Sequence, residues 1–195
     1  MAKEFFGYFD SVEGDVRQYD AAELAQMLAA AVQNGVSSNN GGGLEVTADG
    51  ESMNTTVSWG GAVINGYVYV LSDDGSGPYT VTHQPAGTAD RIDRVVVRLN
   101  MNERKISLAV LEGIPAASAK APTLTQTSQI WEISLAQVRV NAADVFLSAA
   151  NVKDERSDER YCGYAVPAWN NNASLEDRFV KDVPIATTQV TQIFV

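Results

Sequence analysis

The stretch from Asp90 to Pro115, DRIDRVVVRLNMNERKISLAVLEGIP, constrains the fold more than any other part of the chain. Asp93, Val95, Val97 and Leu99 alternate with Arg94, Val96 and Arg98, the period-two pattern of a half-buried strand. Asn100 to Glu103 supply a polar turn, and Ile106, Leu108 and Val110 resume the alternation on the return. The same segment carries a fixed set of charges: Arg91, Arg94, Arg98 and Arg104 lie beside Asp90, Asp93 and Glu103. Arginine forks pair bidentately with carboxylates. The expectation is therefore a cross-strand ion-pair ladder on one sheet face, worth under about 1 kcal/mol per exposed pair. Asp93 shares a face with Val95 and Val97, so it should be buried against an arginine. The sharper alternative puts part of the ladder in a subunit contact.

The remainder reads as one helix followed by short strands. Asp20 is an N-cap and Glu23 stands three residues later, a capping-box variant. Leu24, Met27, Leu28, Ala31 and Val32 then share one helical face, and Gly35 stands where a left-handed C-terminal cap is expected. Upstream, Phe5, Phe6, Tyr8 and Phe9 crowd one segment, as docking residues for the core or for a neighbouring subunit. After the SSNNGGG connector, alternating runs recur at Leu44–Thr47, Met53–Trp59, Ala62–Leu71, Tyr79–His83 and Ile130–Val140. Asp49-Gly50 suits a tight turn, and Asn65-Gly66 marks a turn or a bulge. Residues 154–160, DERSDER, read as a solvated turn or short helix.

The expected fold is mainly β: an antiparallel sandwich or barrel-like domain with one N-terminal amphipathic helix and a C-terminal arm. Residues 1–36 form the attachment or oligomerisation segment, 44–164 the β domain, and 165–195 the arm or connector.

Chemistry-bearing constellations are sparse. A net charge of −10, with no block of Lys and Arg, disfavours a nucleic-acid partner. One cysteine, Cys162, and one histidine, His83, leave no disulfide framework, no all-cysteine metal site and no His-His-carboxylate zinc site. No cofactor is expected. His83 lacks a nucleophile context and reads as a surface or satisfied histidine; Cys162 reads as a small buried residue. Asp73, Asp74, Asp90 and Asp93 are candidates for a glycosidase-like carboxylate pair, though Asp73-Asp74-Gly75 has the composition of a turn. Tyr67, Tyr69, Tyr79, Trp59 and Trp131 would make either a sugar-stacking platform or part of the core. The N-terminus does not read as a signal peptide, and no apolar run reaches the roughly 20 residues of a membrane span.

Five motifs occur in order: FFGYFDSVEGDVRQYDAAELAQMLAAAVQNGV, GGAVINGYVYVL, DRIDRVVVRLNMNERKISLAVLEGIPA, ISLAQVRV and VKDERSDERYCGY. Together they resemble a family of tail and baseplate structural proteins from tailed phages of Gram-positive bacteria, upper-baseplate, tail-appendage or receptor-binding-associated components. The resemblance covers residues 4 to 164 and implies a virion protein, made in the host cytoplasm, that is not an enzyme. It implies a homo-oligomer, a trimer first, whose partners are other tail or baseplate proteins; the alternative function, read from the Tyr and Trp residues, is a carbohydrate-binding module that contacts host cell-wall glycan. Phe5, Phe6, Phe9, Leu24, Met27 and Leu28 are the expected contact or core residues.

Overall fold

The computed structural model describes residues 7, 9–16, 18–37, 43–75 and 77–168. Phe5, Phe6 and all but the first four residues of the expected arm lie outside the described residues. The fold is mainly β, with three antiparallel sheets and one helix near the N-terminus. That helix, α1 (Ala21–Ala31), begins as expected: the Asp20 carboxylate accepts from the Glu23 N–H at 2.8 Å, and the Glu23 carboxylate accepts from the Asp20 N–H. Its end differs. Val32 is already extended, and the chain leaves into β1 (Gly35–Val36) because the Gln33 N–H bonds the Val166 carbonyl and the Val36 N–H bonds that of Gly163. Gly35 is therefore not a helix cap. It is glycine because a Cβ would lie 2.5 Å from the Gly163 carbonyl oxygen.

The first sheet sets β1 beside β4 (Gly60–Ile64), followed by β5 (Tyr67–Leu71). Asn65 and Gly66, both at positive φ, form the two-residue hairpin between β4 and β5. The second sheet joins β2 (Val46–Ala48), β3 (Asn54–Val57) and β6 (Tyr79–Thr82). The third and largest runs in the order β10 (Val152–Asp154), β9 (Ile130–Val140), β7 (Arg91–Asn100), β8 (Lys105–Leu111). One apolar cluster unites all three, with Val36, Val57, Ile64, Val81, Val97, Leu135 and Val138 among its members. The N-terminal segment is thus no separate unit. β1 is built into the first sheet, and the Ala165 N–H ties residues that follow the β domain back to the Val36 carbonyl.

The β7–β8 hairpin forms as its alternation predicts, with Val97 opposite Leu108 and Leu99 opposite Ile106. β7 is not half-buried, however. Val95, Val96 and Val97 are all fully buried. Val95, Val97 and Leu99 join the common core, whereas the opposite face, bearing Arg94 and Val96, is roofed by the 122–126 and 155–161 segments. A bulge on β9 at Leu135, between the Val95–Ala136 and Val96–Ser134 pairs, accompanies the double burial.

Candidate functional site

Three buried ionic clusters radiate from β7. In the first, both Asp93 oxygens are saturated. Oδ1 accepts from Arg91 Nε at 2.8 Å and the Gly113 N–H at 3.0 Å, and Oδ2 accepts from Arg91 Nη2 at 3.1 Å. Oδ2 also receives His83 Nδ1 at 2.9 Å, which leaves Nε2 to face the Thr55 hydroxyl at 3.1 Å. Arg91 further donates to the carbonyls of Gln84 and Pro85 and pairs with Glu112. Thr55, His83 and Asp93 have the connectivity of a nucleophile, a base and an orienting acid. They are 0%, 2% and 1% exposed, so no substrate reaches them. The cluster instead bolts the second sheet, through Thr55 on β3 and His83 just past β6, to the third sheet.

In the second cluster, Glu155 accepts from the Ser134 hydroxyl at 2.7 Å and from the Gln137 amide, and faces Arg94. Arg94 Nε stands 3.2 Å from Glu155 Oε2 but off the hydrogen-bond axis, and the hydrogen bond of the pair runs from Nη2 to Oε1 at 3.4 Å. The guanidinium also donates to the Pro122 carbonyl and lies 4.8 Å over the Tyr161 ring. In the third, Arg98 pairs at 2.7 Å with Glu132, its register partner on β9.

These pairings redraw the expected ladder. Within the Asp90–Arg104 set only Arg91 and Asp93 pair with each other. Arg94 and Arg98 reach Glu155 and Glu132, and Asp90 takes Arg139 at 2.7 Å. The reason is topological: β9 and the segment after it flank β7, so the ionic partners lie 34 to 61 residues away in sequence. Asp93 is buried against an arginine, as expected. Arg104 is not in the ladder. It occupies the β7–β8 turn at φ 52°, and among the described residues it is the one arginine without a carboxylate partner. The 154–160 run is likewise more than a solvated turn, since Glu155 and Arg156 are buried.

The other candidates resolve individually. Asp73 lies on an exposed loop, where its carboxylate accepts from the Gly75 N–H, and Asp93 is sealed in the core; the two share no cleft. Among the described residues no group of three or more His, Cys, Asp or Glu could hold a metal ion. Tyr67, Tyr69 and Trp131 are partly buried against the core, whereas Tyr79 is exposed. Cys162 is buried, and burial pushes its thiol up to about 12. In the native protein a thiol reagent at pH 8 is expected to leave Cys162 unmodified, and to label it fully in denaturant. Stoichiometric native labelling, read by mass spectrometry, would contradict that burial.

What stays open lies on the surface. Of α1 only Ala25 is buried; Leu24 is 43% exposed, and Met27 and Leu28 are half-buried. Phe9, Val12 and Val16, in the segment leading to α1, are exposed as well. A groove of about 890 Å³ runs between the first turn of α1, β5 and the β7–β8 turn. No described helix is long and apolar enough to cross a membrane.

Nothing matches. Comparisons with protein-family models, with curated proteins and with solved structures each return no counterpart for this chain.

Sequence reasoning missed His83 as a structural bolt and Glu132 and Glu155 as the arginines' partners. Glu132 had a signal, its place in an alternating strand beside Trp131 and Ile133. His83 had none, because its partners are 28 and 10 residues away in sequence.

Proposed function

We propose that the protein is a structural component of a phage tail or baseplate, an adaptor that links the tail tip to host-binding elements by protein–protein docking. The observation that carries this reading is α1. It has eleven residues with a single charge, Glu23, and a single buried residue, Ala25. A helix with one charge, held on a surface by one buried residue, has more apolar area than its own core uses, which is the composition of an interface element. The ordered motifs point the same way, and the charged residues of the sheet are engaged in holding it rigid. A carbohydrate-binding module is the alternative function, and the packing of Tyr67, Tyr69 and Trp131 against the core weighs against it.

Light scattering on the full chain tests the reading. A homo-oligomer, a trimer first, is expected, and Leu24→Asp should raise its dissociation constant at least tenfold or so while leaving the β circular dichroism unchanged. A strict monomer at all concentrations would count against it.

A further inference from the structure

We propose that the open edge of β5 is a strand-docking site for an extended acidic peptide segment of a partner protein. This deepens the adaptor reading, on which it rests, by giving the chemistry of one partner.

The orientation of the edge follows from its neighbours. The Ser37 N–H bonds the Gly61 carbonyl, so Gly61 and Val63 turn their backbone groups toward β1. Ala62 and Ile64 then turn theirs toward β5, where they meet Tyr69 and Tyr67. That leaves the N–H and C=O of Val68 and Val70 directed away from the sheet, and neither residue makes a hydrogen bond on that side among the described residues. Their side chains are 59% and 68% exposed. β5 reads YVYVL, with no lysine, no proline and no bulge to blunt its edge. Unpaired ladder groups flanked by alternating apolar side chains are what β-augmentation uses for affinity and for side-chain selection.

The charge of the occupant is set across the groove. Val68 and Val70 share its lining with Met101, Arg104, Lys105 and Ile106. The side chains of Arg104 and Lys105 make no ion pair or hydrogen bond among the described residues, in a protein of net charge −10 whose other described arginines are all paired. The one carboxylate in the lining, Asp20, is engaged as the cap of α1. Two unmatched cations beside an open apolar edge select a strand that carries carboxylates.

The probe is a synthetic peptide of alternating threonine and valine with three glutamates at one end, titrated against the full chain by fluorescence anisotropy. Amide hydrogen exchange at Val68 and Val70 is followed alongside. Binding should slow exchange at both amides. Lysines in place of the glutamates, or the Arg104→Glu/Lys105→Glu variant, should each weaken binding about tenfold or more. Methylating alternate backbone nitrogens of the probe should abolish it, a control that leaves the protein untouched. Binding indifferent to N-methylation, or no binding at all, overturns the proposal. So does slow exchange at Val68 and Val70 in the free protein: persistence on dilution would mean the chain's own residues cover the edge, and loss on dilution would mean a second copy does. An oligomer that ignores the probe removes this site but keeps the adaptor; a monomer that binds it does the reverse.

Discussion

Asp93→Ala is expected to cost the fold about 3–5 kcal/mol, the range for removing one partner of a buried ion pair. Against a typical total of about 5–15 kcal/mol this is close to unfolding the domain. The size follows from what is left behind. Arg91 is 2% exposed and would keep its charge with only the exposed Glu112 carboxylate for a partner, His83 would lose the acceptor for Nδ1, and the Gly113 N–H would be orphaned. Asp93→Asn keeps the shape but sets an amide that supplies donors against Arg91 and His83, so it should fall between alanine and wild type. The pH dependence has a definite sign. Burial is the largest influence on the Asp93 carboxyl and pushes it up, but the bonds from His83, Arg91 and Gly113 and the Arg91 charge together hold it below the usual carboxylate range. A depressed native value stabilises the fold above the unfolded-state value of about 4. That stability is lost as pH falls through the native value. Urea denaturation of wild type and Asp93→Asn at pH 7 and at pH 2–3 reads both effects, and the variant should lose less on acidification. An Asp93→Ala protein within about 1 kcal/mol of wild type would show that the cluster is not the bolt between sheets.

The contrast between Asp93 and Arg94 shows what periodicity makes legible. Alternation along β7 identifies the face carrying Asp93, Val95 and Val97 as core, and a carboxylate on a core face needs a cation, so its burial against an arginine follows from sequence. The same alternation sends Arg94 and Val96 to solvent, because it reports which side a residue points to and nothing about what later covers that side. The cover comes from Pro122, Glu155 and Tyr161, in segments with no regular period. Local signals fared well where the physics is local: the Asp20–Glu23 capping box and the Asn65-Gly66 turn each complete their bonds within a few residues. Gly35 misled because a glycine required by close approach has the same letter as one required by a helix cap. The proposed docking surface was half legible. Leu24 could be placed on a helix face, but Arg104 shows itself as unpaired only once every other described arginine has its carboxylate.

Gly66→Ala should do large but local damage: it separates the helix from the sheet. Gly66 has φ 78°, where any side chain costs about 1–3 kcal/mol. The approach of α1 is a second and harder constraint. A Cβ at position 66 would lie 1.7 Å from the Ala25 carbonyl oxygen and 2.9 Å from the Ala25 Cα, backbone atoms with no rotamer to yield. Ala25 is also the only buried residue of α1, so the contact that would be broken is the one that seats the helix. The same hairpin is also tied to the residues past the helix, where Asn34 bonds the Asn65 backbone N–H and side-chain amide. The expected result is a protein that retains its β circular dichroism and its Thr55–His83–Asp93 cluster but exchanges the amides of α1 at least tenfold or so faster. If α1 is the docking element of the assembled state, the same variant should fail to oligomerise at concentrations where wild type is complete. Amide protection of α1 equal to wild type would mean that the helix is held by something other than the Gly66 seat.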